Sequence, residues 1–241
     1  MALPKLNHLP FEIKIPSTGK GMMFRPYTVK EQKYLLMMKN ETNQYEIVKL
    51  LQTLIGSCSL SETINISKLS YFDIIYIFVK LRAKSVGEII DLKYKCNNNT
   101  NDQQCNNVVT IKLNLDEVQV NTNINNKNEF SVGNGITIKL RYPSLEAMAD
   151  IEEFRKSNNI DYLIRGLAKC LEYVSDKETI YESFTSTEAE EFLNNINLEG
   201  FNELINFITN IPKLEKTLDF VCNKCGYKQN IVLDTIEDFF V

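Results

Sequence analysis

Two different periods in the apolar residues divide this chain into strands and helices. Residues 11–15 alternate between apolar and polar side chains, and residues 22–25 follow after a turn that contains proline and glycine, which predicts a β-hairpin. Helical spacing then follows over residues 29–39, 45–55 and about 69–83. The third of these helices is apolar on most sides, so we expect it to be buried in a core.

The first and third of these helices contain residues that indicate a core-facing side and a helix end. On the first, the expected core-facing residues are Tyr34, Leu35, Met37 and Met38. On the third, Lys80, Arg82 and Lys84 lie near the carboxyl end, where positive charge suits the helix dipole. Gly87 can form the exit turn.

The second half of the pattern begins with strands. Residues 88–96 and 108–120 read as strands, and residues 129–142 as a hairpin around Gly133-Asn-Gly135. Four helices are expected next, over residues 145–156, 161–171, 186–195 and 198–210. Ser144, Asp161 and Thr185 are the expected amino-terminal caps of the first three of these helices. A closing hairpin spans residues 218–233.

This order predicts an α+β fold with a helical core and β-hairpins, including a split, zinc-ribbon-like element. The regions are 1–87 (hairpin and helices), 88–143 (β-rich), 144–215 (helical) and 216–241 (closing hairpin). We expect the closing hairpin to pack on residues 88–120.

Four of the six cysteines form two pairs at the tips of predicted hairpins. Cys96 and Cys105 are separated by an Asn-rich insert of eight residues, which must bulge outward. Cys222 and Cys225 have the usual two-residue spacing and are followed by Gly226, which tolerates a left-handed turn. Hairpins of this kind are typical of the two halves of a four-cysteine zinc ribbon. We therefore predict a structural Zn²⁺ site formed by these four cysteines.

Free or redox-labile thiols and disulfides are the alternatives. An acidic chain without a recognisable secretory signal suggests a reducing compartment, where paired cysteines favour metal over disulfides. A catalytic zinc does not fit, because four thiolates leave no open position for water. Cys58 and Cys170 lie in or beside predicted helices and are expected to be small core residues.

Composition narrows the functional classes. The 241 residues carry a net charge of −4, which argues against general nucleic-acid binding. No apolar stretch is long enough to span a bilayer. His8 is the only histidine, and the Asn-rich runs give no basis for a site. The motifs of phosphate-binding loops, nucleophile elbows, kinases and zinc proteases are missing, so we predict a protein that is not an enzyme.

Several motifs in order carry a family resemblance. They are Pro4-Lys-Leu-Asn, Ile15-Pro-Ser-Thr-Gly-Lys20, Phe24-Arg-Pro-Tyr-Thr-Val-Lys-Glu31, Leu35-Leu-Met, the block from Phe72 to Glu88, and Leu92-Lys-Tyr-Lys-Cys96. Together they resemble the T4-like bacteriophage baseplate protein family over roughly the first 115 residues. The carboxy-terminal half is similar in layout, including a late Cys-x-x-Cys.

The resemblance implies a late structural protein of a contractile-tail phage, in the hub of the baseplate or assisting hub assembly. Its expected partners are other hub, wedge or tail-tube proteins, and a homo-oligomer or symmetric assembly is compatible with this role. The expected location is the virion tail, or the host cytoplasm during assembly. Residues 25–27 and 80–84 are candidate contact positions.

A zinc-ribbon module that binds nucleic acid or takes part in transcription is the alternative function. Lys213, Lys216, Lys224 and Lys228 flank the second cysteine pair and favour it. The overall acidity and the lack of interleaved aromatic and basic residues weigh against it.

Overall fold

A computed structural model describes residues 6–61, 65–100, 103–121, 127–234 and 237–239. Pro4 and Lys5, which open the first motif, lie outside these residues. The described part is an α+β structure of seven α-helices and several small antiparallel sheets. None of its helices combines the length and apolar character that crossing a membrane requires.

The helices lie close to the positions that the periodicity predicts. They are α1 (Val29–Lys39), α2 (Gln44–Cys58), α3 (Tyr71–Val86), α4 (Leu145–Ser157), α5 (Ile160–Cys170), α6 (Ser186–Asn194) and α7 (Leu198–Thr209). Thr28 with Glu31 and Thr185 with Glu188 form capping boxes at the starts of α1 and α6. Ser144 caps α4 as expected.

The strands are short and all pair antiparallel. They are β1 (Phe11–Lys14), β2 (Gly21–Phe24), β3 (Ile89–Lys95), β4 (Asn99–Thr100), β5 (Gln103–Gln104), β6 (Val108–Asn114), β7 (Gln119–Asn121), β8 (Glu129–Gly133), β9 (Ile136–Leu140), β10 (Leu171–Ser175), β11 (Ile180–Tyr181), β12 (Lys213–Val221) and β13 (Lys228–Leu233). The larger sheets have the orders β11-β10-β9-β8 and β13-β12-β7, and β1–β2, β3–β6 and β4–β5 are two-stranded.

Three sequence predictions need correction. Asp161 is not the cap of α5: Asn159 is, and its side chain accepts a hydrogen bond from the Asp161 N–H. On α1, Met37 is 56% exposed, because Glu31, Leu35 and Met38 occupy the buried face at helical spacing. The strand expected over 108–120 is broken by a 3₁₀ turn at Leu115–Glu117.

This 3₁₀ turn is held by the end of α3. The Asn114 side chain caps the turn, and Leu115 is fully buried. Lys80 donates hydrogen bonds to the carbonyls of Leu115 and Asp116, at 3.2 and 2.7 Å. Lys84 pairs with Asp116 and Glu88. Both lysines therefore hold the chain where it passes from β6 to β7, in addition to complementing the helix dipole.

Buried apolar residues form two clusters. The first joins the β1–β2 hairpin and helices α1 to α3 to the strands on either side of the cysteine pairs. The second joins the β8–β11 sheet to helices α4 to α7. Tyr71 packs against both clusters. The division of the chain into the four regions given above stays a prediction.

A buried carboxylate connects helices from the two clusters. Asp150 on α4 is fully buried and accepts a 2.6 Å hydrogen bond from the Tyr45 hydroxyl on α2. Lys169 Nζ on α5 lies 2.6 Å from its other oxygen. Burial, together with the hydrogen bond to Asp150, raises the pKa of Tyr45 to about 12. Because a lone buried carboxylate is costly, these partners make the junction specific.

A second buried carboxylate fixes the turn before α1. Glu31 is fully buried and accepts hydrogen bonds from Arg25 Nη2 at 3.0 Å and from the Thr28 N–H at 2.8 Å. Burial alone would raise the pKa of Glu31, but the bonds from Arg25 and Thr28 outweigh it and lower the pKa to about 2. Tyr27 is also buried and is therefore not a contact candidate, whereas Arg25 and Pro26 are half-buried and stay candidates.

We expect Arg25→Ala to destabilise the chain by about 2–3 kcal/mol at pH 7, because it strips the main charged partner from a buried carboxylate. The loss should shrink below pH 4.5, the ordinary pKa of Glu31, as the wild-type protein loses its advantage toward pH 2. Urea unfolding at several pH values measures both effects.

Lys49→Ala is the matched control, because it breaks the exposed pair of Lys49 with Glu46. Its effect should stay within about 0.5 kcal/mol. Equal losses in the two variants would contradict the role assigned to Arg25.

Candidate metal centre

The first cysteine pair lies at the tip of the β3–β6 ribbon. Cys96 directly follows β3, and its N–H donates to the Asn107 carbonyl at 2.8 Å. The Cys105 N–H donates to the Asn98 carbonyl at 2.9 Å. Between the two cysteines the strands β4 and β5 pair as a small hairpin, with Asn101 and Asp102 outside the described residues. The eight residues between the two cysteines therefore include a small hairpin.

The second pair lies in the turn between β12 and β13. The Gly226 N–H donates to the Cys222 carbonyl, and the Cys222 N–H to the Tyr227 carbonyl, both at 2.9 Å. Gly226 has φ of +72°, a conformation that a residue with a Cβ adopts only at a cost. The turn points the Cys222 and Cys225 side chains toward the first pair.

All four sulfur atoms converge. Cys96 Sγ is 3.6 Å from Cys225 Sγ, and Cys105 Sγ is 3.9 Å from Cys222 Sγ, across 129 and 117 residues of sequence. The four sulfurs lie within 4.8 Å of one another. A disulfide needs about 2.0 Å, so these contacts are between free thiols.

Packing of the two ribbons explains this convergence. Tyr94, two residues before Cys96, stacks on Phe220, two residues before Cys222, with ring centroids 6.3 Å apart. Further along, β12 pairs with β7, which follows β6 in the chain. Both ribbons therefore lie side by side, and their tips meet.

Three side-chain amides donate hydrogen bonds to the sulfurs. Gln229 Nε2 lies 3.2 Å from Cys96 Sγ, Asn107 Nδ2 lies 3.5 Å from Cys222 Sγ, and Asn98 Nδ2 lies 3.5 Å from Cys225 Sγ. Donors of this kind stabilise thiolates and orient them. Asn98 and Asn107 were not predicted from the sequence, because Asn-rich runs carry no signal of their own. Only their positions beside cysteines could have indicated them.

The thiols differ in their acidity. Backbone N–H groups of Cys225 and Lys224 lower the pKa of Cys222 to about 6. The N–H of Tyr227 and the amide of Asn98 lower the pKa of Cys225. Burial raises the pKa of Cys96 to about 11. The site thus favours thiolates at the second pair, and thiolates are the form that binds metals.

Exposure differs across the site. Cys96 and Cys222 are buried, Cys105 is half-buried and Cys225 is exposed. Within the described residues, this is the one group of three or more His, Cys, Asp or Glu side chains that could hold a metal ion. Four sulfurs in a closed group can bind a four-coordinate metal and leave no position for a reacting water.

The basic residues near the second pair do not form one patch. Lys213 begins β12, roughly 25 Å along the strand from the cysteine turn. Lys216 pairs with Glu117 at 3.3 Å. Of the four lysines considered from sequence, Lys224 and Lys228 are the two beside the turn.

The family model for T4 bacteriophage base plate protein matches residues 7–241. The match extends the motif resemblance from the amino-terminal half to nearly the whole chain. No curated protein and no solved structure matches the chain.

We expect Cys225 to be the first cysteine alkylated in metal-free protein, because it is exposed and its pKa is lowered. Cys58 and Cys170 should react last, since burial raises their pKa to about 11 and about 12. Limited iodoacetamide treatment followed by peptide mass spectrometry gives the order. Early modification of Cys170 would contradict this geometry.

Proposed function

This chain belongs to the T4 bacteriophage base plate protein family, and on that premise we propose that it serves the baseplate hub of a contractile-tail phage. Family membership supports a structural component of a phage baseplate and a place in the virion tail. The proposal adds the hub, either as a resident subunit or as an assembly factor present in the host cytoplasm. It also adds a single structural Zn²⁺ bound by Cys96, Cys105, Cys222 and Cys225.

The spacing of the sulfurs supports zinc. Four sulfurs placed tetrahedrally about 2.3 Å from a zinc ion are about 3.8 Å from one another. The Cys96–Cys225 and Cys105–Cys222 contacts, at 3.6 and 3.9 Å, bracket this value, and all four sulfurs lie within 4.8 Å of one another. Amide and backbone donors around the sulfurs offset the negative charge that four thiolates bring together.

A zinc at this position suits a building block. It would join the β3–β6 ribbon to the β12–β13 ribbon. The residues between Cys105 and Cys222 would then form a loop closed by the metal. Assembly of a large particle depends on preformed complementary surfaces, and a locked pair of ribbons preserves such surfaces. We assign the chain no catalytic role. Its proposed partners are other hub, wedge or tail-tube proteins.

The nucleic-acid alternative has little support from the arrangement of charges. Binding to a phosphate backbone needs several cations on one surface, and two lysines at the cysteine turn are too few. The observation that carries the baseplate proposal is the family match over residues 7–241, together with the four converging sulfurs.

Purified protein should contain about one zinc per chain, measured by mass spectrometry of the metal. Cys225→Ser should lose the metal and lower the melting temperature by roughly 10 °C, because the two ribbons lose their joint. Cys225 is exposed, so its own packing contributes little to that loss.

Cys170→Ala is the control, because Cys170 is a buried cysteine outside the cluster. This variant should lose stability through its cavity yet keep a full complement of zinc. Purified wild-type protein that contains no zinc, or that melts at the same temperature with and without a chelator, would overturn the zinc assignment.

A phage that carries a nonsense mutation in the gene for this chain should produce tails without complete baseplates in electron micrographs. Wild-type protein supplied in the host should restore them, Cys170→Ala should restore them too, and Cys225→Ser should restore few. Mass spectrometry of purified particles then separates a resident subunit from an assembly factor. Normal baseplates in the mutant phage would contradict the proposal.

A further inference from the structure

An apolar groove lies at the edge of the β8–β11 sheet, between that sheet and α6. It has a volume of about 360 Å³ and is lined by Val174, Tyr181, Phe184, Ala189 and Phe192, among others. The polar side chains at its rim already have partners. Asp176 accepts bonds within its own turn, and Glu188 completes the α6 capping box. The groove is thus an apolar surface with polar groups only at its margin.

An open strand edge borders this groove. β11 pairs with β10, and the described residues provide no strand on its other side. Tyr181 lines the groove, whereas its neighbour Ile180 is 62% exposed and does not line it. A short, unpaired edge beside an apolar groove is the geometry in which an extended peptide can add backbone hydrogen bonds and insert its side chains.

The chain segment that contributes most of the groove's lining is strongly acidic. Between residues 172 and 191 the chain has seven acidic residues and one lysine. A segment that approaches this groove is therefore favoured if it carries apolar side chains and positive rather than negative charge.

The same chain has a segment of this kind. Residues Leu6–Pro10, which we call the arm, lead into β1 and have no regular secondary structure. Leu6 and Leu9 are 83% and 88% exposed, the two largest values among the exposed large apolar residues. Lys5 precedes the arm in sequence, and the first acidic residue is Glu12. The arm thus exposes two leucines, carries no negative charge and pairs with no strand among the residues that the structure describes.

We propose that the arm of one copy of this chain binds in the α6 groove of a second copy. The arm leads into a hairpin of the first apolar cluster, whereas the groove belongs to the second, so the contact links different faces of the molecule. Contacts between two unlike patches are heterologous and generate a ring when the rotation closes. This contact does not depend on the cysteine site or on the hub assignment.

Sedimentation of the intact wild-type protein tests this contact over about 1–100 µM, the range in which a small interface of this kind associates. The protein should self-associate there. Leu6→Ser/Leu9→Ser should weaken association by about tenfold or more, because the two apolar anchors are lost. Tyr181→Lys, which places a charge in the groove, should do the same. A mixture of the two variants should form a heterodimer, since one carries an intact groove and the other an intact arm.

Two controls match these variants. Leu198→Ser replaces a leucine that is 80% exposed elsewhere, and Ile180→Lys changes the strand residue outside the groove. Both should associate like wild type. A wild-type protein that remains monomeric over the whole range, arm and groove variants that associate normally, or a mixture that stays monomeric would each overturn the proposal. Circular dichroism of every variant confirms that it is folded.

Discussion

Cys96 and Cys105 reach Cys222 and Cys225 only if the β3–β6 ribbon and the β12–β13 ribbon lie side by side. The Tyr94–Phe220 stack and the pairing of β12 with β7 hold the ribbons in that position. The four sulfur atoms then lie within 4.8 Å of one another at the tips of the two ribbons. Thiolates placed this close repel one another, and the side-chain amides that donate to the sulfurs offset part of that charge. These sulfur contacts join segments that lie 117 to 129 residues apart in sequence.

Two other long-range joints use buried carboxylates. Asp73 on α3 accepts from the N–H and hydroxyl of Ser17, at 2.9 and 2.6 Å, and so holds the β1–β2 turn against the core. Asp150 links α2, α4 and α5 in the same way. Each of these carboxylates is buried and accepts a hydrogen bond from a segment distant in sequence, which makes the packing of those segments specific. The hairpin, the helical layers and the ribbons are therefore fixed relative to one another, as a particle subunit requires.

Local signals predicted much of this structure. The capping residues Ser144 and Thr185 and the spacing of apolar residues predicted the helices to within three residues at each end. The position of cysteines at hairpin tips predicted which four would meet. β10 was missed because Leu171 follows α5 directly, with no glycine or proline to mark the change, and its partner β9 lies about 30 residues away. The buried Glu31 and the sulfur-bonded Asn98 and Asn107 were missed for a related reason: their partners are set by tertiary contacts.

The family match supports a structural component of a phage baseplate, and the converging sulfurs support the proposal that a metal ion joins its two ribbons. X-ray absorption at the zinc K-edge of the purified protein tests this most directly. The account predicts a first shell of four sulfurs at about 2.3 Å from the zinc. A first shell of nitrogen or oxygen atoms, or no zinc edge at all, would contradict it.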